Sequence, residues 1–399
     1  MGATDRVVNP NLAAARAQLA SAVELRRRLH AHPEIGLDVP RTQQAVLEAL
    51  DGLGLELSVG TATTSVVAVL DGGSPGPTTL LRADMDALPV REETGLPFAS
   101  QVDGAMHACG HDSHMAMLVA AARLLTGRRG ELAGRVVFMF QPGEEGHGGA
   151  QAMLAEGLLE RFGPIDRAFA IHISPTMATG SIFTRAGALM ASADTFEIVV
   201  TGRGGHASMP HEAVDPIPVA CEIVTSLQTM VTRRVPAFDP AVVTVSRITG
   251  GTTSNVIPES VVLEGTVRAV SDATRTLVLD RLQQVPAHIA AAHLCTAEVT
   301  TGSIRFPVLV NDAAAAARTL QVAGTLVGAD HAREMPSPIM GAEDWAYVLQ
   351  QVPGALAFLG AAPPGVERPA PNHSNRMVLD EDAMAVGIAM HMAMALGRP

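Results

Sequence analysis

Three histidines, a cysteine and an aspartate crowd into Met106-His107-Ala108-Cys109-Gly110-His111-Asp112-Ser113-His114, just ahead of an apolar stretch with helical spacing. A thiol and an imidazole two residues apart at a helix start can face one point, where the free N–H groups of the first turn favour thiolate. Cys109 and His111 are therefore candidate metal ligands, although a Cys-x-His pair also occurs in ordinary cores. His107 and His114 are read as core histidines.

A second cluster, Gln141-Pro142-Gly143-Glu144-Glu145-Gly146, follows the apolar run 135–140. In open α/β sheets ligands bind at the carboxyl ends of strands, and adjacent carboxylates there repel unless a cation lies between them. One Glu can then hold the cation while its neighbour moves a proton, as in hydrolytic metal sites. A solvated acidic turn is the alternative. His172, directly after the apolar run 168–171, and His373, in Pro371-Asn372-His373-Ser374, stand at comparable places. Cys109, His111, Glu145, His172 and His373 together offer N, O and S donors for two close divalent ions sharing one bridging group.

The elements that must position these groups are legible in outline. Helix-like apolar spacing covers 12–31 and 40–52, separated by Pro33. Short apolar runs at 65–70, 79–82, 136–140 and 168–171, with a helix over 113–125 among them, predict α/β alternation on a largely parallel sheet. After Gly187 the order becomes strand 194–201, helix 218–232, strands 241–248 and 261–270, helix 272–293 and strand 297–306. That βαββαβ order predicts an inserted α+β domain over 187–304. Helices and strands resume at 311–327, 355–359 and 380–396, completing a discontinuous first domain of 1–186 and 305–399 with a mixed sheet.

Composition excludes several chemistries. The chain has 399 residues, 47% apolar and 17% charged, enough for a sizeable core and expected to form two or three domains at ~100–200 residues each. All 28 cationic side chains are Arg, so P-loop, pyridoxal-phosphate and lysine Schiff-base mechanisms are out. A net charge of −12 without a basic block argues against nucleic acid. Residues 1–6 carry no apolar leader, position 6 breaks the myristoylation pattern, and the apolar stretches fall short of a membrane span. The expectation is a cytoplasmic protein without a membrane partner. Cys109, Cys221 and Cys295, odd in number and far apart, argue against a disulfide framework. Cys221 and Cys295 are read as buried and inert, and Met384, Met390, Met392 and Met394 around His391 as a core helix.

The stretches 30–36 (His-Ala-His-Pro-Glu-Ile-Gly), 82–89 (Arg-Ala-Asp-Met-Asp-Ala-Leu-Pro), 107–112, 141–146, 202–210, 254–258, 265–268, 341–345 and 371–374 span nearly the whole chain. In this order they resemble the M20 family of metallo-aminohydrolases, within it the N-acyl-amino-acid amidohydrolases that include hippurate hydrolases and auxin-conjugate hydrolases. The resemblance implies a di-metal aminopeptidase-like catalytic domain interrupted by a lid and dimerisation domain, in a homodimer or higher homo-oligomer. It assigns two divalent ions (manganese, zinc, cobalt or nickel) to Cys109, His111, Glu145, His172 and His373, with the cysteine bridging. Glu144 becomes the base that takes a proton from water and returns it to the leaving amine, and Asp86 a residue that orients ligands. In the glycine-rich stretch 202–210, His206 is the expected oxyanion donor, usually supplied by a dimer partner. Asn255 and Arg268 are expected to hold the substrate carboxylate, which a guanidinium fork suits.

The implied activity is hydrolysis of a small-molecule N-acyl-L-amino acid to a carboxylic acid and a free amino acid, as an aminoacylase or hippurate hydrolase does. Dipeptides, carbamoyl amino acids and succinylated amines are the alternative substrates, and Cys109, where peptidase branches carry Asp, speaks against a dipeptidase. A metal-free Cys109 amidase leaves the Glu pair, His172 and His373 unexplained. A non-catalytic metal-binding protein would have no use for Glu144. The chain departs from the family at Ala342, Trp345 and Met377, which bear on pocket shape, and at His147, an extra polar group near the mouth. With 10 Phe, 1 Tyr and 1 Trp, an acyl pocket walled by Met, Leu and Val is expected.

Overall fold

Asn9 accepts a hydrogen bond from the Asn11 N–H and Pro10 fills the first helical position, so the chain enters the helix Pro10–His30 directly. Arg27, Arg28 and His30 lie in its last turn, where the carbonyl ends favour cations. Pro33 follows, and Pro40 starts the helix Pro40–Leu50. The structure is a computed structural model that describes residues 9–303 and 305–397. The expectations for residues 1–6, and for Ile304 within the strand 297–306, lie outside the described residues.

The chain forms two compact units. The first runs to Leu189 and takes in Val310–Ser337 and the chain from Asp344 onward; the second is Met190–Leu309 with Pro338–Glu343.

In the first unit an eight-stranded sheet has the order Glu56–Val59, Val66–Asp71, Ala133–Gln141, Ser74–Asp84, Arg167–Ser174, Gly354–Gly360, Ile182–Thr184, Ala332–Glu334. Its centre, from Ala133–Gln141 to Gly354–Gly360, is parallel. The flanks are antiparallel where Glu56–Val59 meets Val66–Asp71, where that strand meets Ala133–Gln141, and where Ile182–Thr184 meets Gly354–Gly360. The sheet is thus mixed, and less parallel than the apolar runs suggest. A connection as short as 60–65 joins only antiparallel neighbours.

The central strands are buried on both faces through Leu80, Leu81, Val137, Phe138, Phe169, Ile171, Leu356 and Leu359, which explains their near-continuous apolar runs. The helices His111–Gly127 and Met384–Leu396 are buried on nearly every side and sit in this core with Pro10–His30. Met390, His391, Met392 and Met394 are buried there, and burial pushes the His391 pKa down to about 3. Three central strands end in polar residues on the same edge: Asp84, Gln141 and, two residues before its end, His172.

The second unit holds a four-stranded antiparallel sheet ordered Ala241–Gly250, Ser260–Ala269, Asp194–Thr201, Thr296–Thr301. Every second residue along Asp194–Thr201 is buried, which leaves one face for the helices Pro216–Arg234 and Asp272–Ala292. Phe196, Ile198, Ile223, Leu227, Leu263 and Leu282 fill that core. Cys221 corrects the expectation that it is buried. The helix buries Val219, Ala220, Ile223, Leu227 and Met230, and Cys221 falls on the opposite, exposed face. Cys295 is buried as expected. Among the described residues no helix is long and apolar enough to cross a membrane.

Candidate metal centre

Three connections and one strand bring chemistry to the carboxyl edge of the first unit's sheet. Cys109 lies in the turn that opens the helix His111–Gly127, where Gly110 takes a left-handed φ of 86°. Glycine is required there twice over: the backbone is left-handed, and a Cβ would come within 2.5 Å of Ile173 Cγ2. Glu144 and Glu145 follow the strand Ala133–Gln141, and His172 lies on Arg167–Ser174. His373 sits in an irregular loop with φ 70°, its N–H donating to the Ala108 carbonyl at 2.7 Å.

The side chains converge as two triads that share Cys109. Donor atoms of Cys109, His111 and His172 lie within 4.8 Å of one another, and so do those of Cys109, Glu145 and His373. His111, Glu144 and Glu145 form a third such group. All five residues named as ligands from the sequence meet here, with Glu144 beside them.

Hydrogen bonds aim the imidazoles. Nδ1–H of His111 donates to the Asp86 carbonyl at 2.8 Å, which leaves Nε2 as the nitrogen that faces the centre. Nδ1–H of His172 donates to the Ile173 carbonyl at 2.9 Å, leaving Nε2 at 3.2 Å from Cys109 Sγ. The Asp86 carboxylate accepts the backbone N–H of Glu144 at 2.9 Å and of Glu145 at 3.0 Å, fixing the turn that carries both glutamates.

The charges are unbalanced without a cation. Burial drives the Cys109 thiol up, and the Glu145 charge adds to this. Burial also pushes His172 down to about 3, helped by the neighbouring His114. At His111 burial is outweighed by Asp84 and Cys109, which raise it, while Cys109 and Glu145 draw His373 up to about 10. The carboxylates of Asp84 and Glu145 thus favour positive charge on two imidazoles, the charge that a divalent ion would supply instead. Among the described residues His111 Nε2 and Glu145 Oε1 are buried without a hydrogen-bond partner. Glu145 Oε1 lies 3.4 Å from His373 Nε2 and 3.9 Å from His111 Nε2. Orphaned donors, with a cysteine sulfur, imidazoles and a carboxylate around one point, fit a divalent metal ion.

Behind the centre lies a buried polar network that sequence reading did not assign. Asp84 accepts from His114 Nδ1 at 2.6 Å and from Arg82 at 2.7 Å, and His114 Nε2 accepts the Ile173 N–H at 2.8 Å. Gln141 joins it, accepting from Arg82 Nε at 3.0 Å and donating to Asp344 at 2.7 Å. The signal was present: residues 82 and 84 alternate onto one face of their strand, toward the end that carries ligands. His147 is exposed and packs its ring near Gly36.

The remaining named residues belong to the second unit. His206 pairs with Val256 across a two-stranded ladder, which places it beside Asn255, whose carbonyl accepts the Ala207 N–H at 3.1 Å. His206 Nδ1 accepts the Ser208 N–H at 3.1 Å, so its other nitrogen is the donor. His206 and Asn255 are exposed; Arg268 is half-buried on the sheet strand Ser260–Ala269, opposite Val242. Burial lowers the Arg268 pKa, and Asp194 partly restores it.

Similarity to known proteins agrees with this arrangement. Residues 80–397 match Peptidase family M20/M25/M40. The chain is 35% identical over 377 residues to thermostable carboxypeptidase 1 of Saccharolobus solfataricus, covering 94% of each. It is 38% identical to an IAA-amino acid hydrolase of Arabidopsis thaliana, covering 94% of this chain and 84% of that one. It is also 38% identical to an N-acetylcysteine deacetylase of Bacillus subtilis, covering 91% of this chain and 93% of that one. A solved structure of a dinuclear metal binding M20 peptidase from Bacillus subtilis superposes with a TM-score of 0.81 at 34% identity, over 96% of this chain and 98% of that one. With the donor triads at the sheet edge and the match across residues 80–397, the chain belongs to Peptidase family M20/M25/M40.

Proposed function

We propose that the protein is a metal-dependent amidohydrolase that cleaves N-acyl-L-amino acids into a carboxylic acid and a free amino acid. The observation that carries this reading is the pair of donor triads sharing Cys109, with the buried carboxylate of Glu144 alongside. Relatives named for N-acetylcysteine deacetylation and for IAA-amino acid hydrolysis support the substrate class.

Two divalent ions would be held by Cys109, His111, Glu145, His172 and His373, with Cys109 common to both; when bound, they polarise the amide carbonyl and acidify water. Glu144 takes the proton from the attacking water and passes it to the leaving nitrogen. Asp86 keeps the glutamate turn and the His111 tautomer in register for this transfer. His206, with its free nitrogen protonated, donates to the developing oxyanion, and Asn255 and Arg268 hold the substrate carboxylate. The second unit serves as lid and dimerisation domain, and the working form is a homodimer or higher homo-oligomer in the cytoplasm.

The carboxypeptidase relative favours peptides as a second substrate class, because both classes present a linear amide beside a free carboxylate. The test is hydrolysis of N-acetyl, N-benzoyl and long-chain N-acyl amino acids and of dipeptides by chelator-stripped protein, with and without manganese or zinc. Metal-dependent release from acyl amino acids is expected. Turnover indifferent to chelation would overturn the reading, and turnover of dipeptides alone would replace the substrate.

A further inference from the structure

The most exposed of the five donors stands on the least regular backbone. His373 is 57% exposed, lies outside any helix or strand, and holds a left-handed φ of 70° that costs a non-glycine residue about 1 kcal/mol. Packing does not hold such a residue, so its neighbours must. One tether is its own N–H on the Ala108 carbonyl. The other is the preceding side chain: Asn372 Nδ2 donates to the Cys109 carbonyl at 3.0 Å and to the Ile173 carbonyl at 3.3 Å, and lies 4.0 Å from Cys109 Sγ.

These contacts tie together three segments far apart in sequence. Cys109 is the donor common to both triads, Ile173 follows His172, and Asn372 precedes His373. A primary amide has two N–H donors and here meets two carbonyl oxygens, which also fixes which way the amide points. Farther along the same loop, Arg376 pairs with Glu93 at 3.1 Å and the Glu93 N–H donates to the Asn375 carbonyl at 2.8 Å. That anchor lies beyond His373; on the near side the His373 N–H holds Ala108, and the Asn372 side chain is the contact that reaches both the Cys109 and the Ile173 carbonyls.

We infer that Asn372 is a positioning residue: its amide clips the His373 loop to the Cys109 turn and the His172 strand, and so sets the geometry of the thiolate that both triads share. The inference rests on the ligand reading proposed above. Its leading variant is N372L, which keeps the volume and removes both donors.

Cobalt(II) is the probe, added to metal-free full-length protein. Uptake is followed by competition with a chelator and by the thiolate-to-cobalt charge-transfer band, beside the melting temperature of the metal-free form. Wild type is expected to show the band. N372L is expected to melt with wild type, bind cobalt ~10–100-fold more weakly, and show a smaller band per bound ion. A purely structural role would lower the metal-free melting temperature and leave the band per bound ion intact, which overturns the inference. Equal affinity and equal bands overturn it as well. Should leucine prevent folding, N372A, which cannot clash, carries the same expectation and the same overturning result. A wild-type complex without a thiolate band would instead defeat the ligand reading, and the inference with it.

Discussion

Asp86 grips the Glu144 turn from below: one carboxylate oxygen accepts the Glu144 N–H at 2.9 Å and the other the Glu145 N–H at 3.0 Å. Its backbone carbonyl meanwhile sets the tautomer of His111. One buried residue thus orients a proposed ligand, the proposed base and the turn that joins them. Asp86→Ala strands two backbone donors and loosens the turn. Metal affinity and kcat are expected to fall together by ~10–100-fold, measured by chelator competition and steady-state kinetics. Unchanged affinity would show that the turn holds itself.

Glu144→Gln keeps the shape of the side chain and removes its base. Metal content should match wild type while kcat drops by ~10²–10⁴. Substantial residual turnover would move the proton transfer to another group.

Cys109 serves both triads, so Cys109→Ser should cost both metal positions at once. Metal analysis after dialysis is expected to show loss of both ions, whereas His373→Ala should spare the Cys109, His111 and His172 position. Retention of full stoichiometry in Cys109→Ser would refute a shared thiolate.

His30 gives a pH signature separate from the site. Burial lowers its pKa, but Asp112 at 2.8 Å and Glu92 at 3.3 Å outweigh this and raise it from 6.5 to about 9. A raised folded-state pKa stabilises fully below 6.5 and loses its effect as pH climbs to about 9. The contribution is roughly 3 kcal/mol at its largest. Urea unfolding of metal-free protein should show wild type losing stability between pH 6.5 and 9 relative to His30→Gln. Parallel curves for the two proteins would remove His30 as the cause.

Thiol reactivity separates the cysteines. Cys221 is exposed while Cys109 and Cys295 are buried, so native protein should label rapidly at one thiol and at all three only after unfolding. Mass mapping should place the rapid label on Cys221.

Much of this site could be read in the chain before any coordinates. Cys109, His111, Glu145, His172 and His373 announce themselves by type and by their place after apolar runs, and the family follows from the motifs that contain them. The buried parallel strands were legible because burial on both faces leaves an unbroken apolar run. What escaped depends on partners distant in sequence. Whether Cys221 faces core or solvent turns on which stripe of its helix meets the sheet. The antiparallel flanks depend on pairing, which local composition does not encode. Asp84 and Asn372 look like ordinary polar residues until His114, Cys109 and Ile173 are brought beside them.

The sheet order also sets a timetable for synthesis. Cys109, His111 and His172 leave the ribosome long before His373, so one donor triad exists in the nascent chain while the other still lacks a member. The strand that bears His172 is meanwhile unpaired on one side, because its parallel neighbour Gly354–Gly360 is translated only after the whole second unit. An early ion would therefore meet a half-built cradle beside an open strand edge, the kind of edge that invites association between chains.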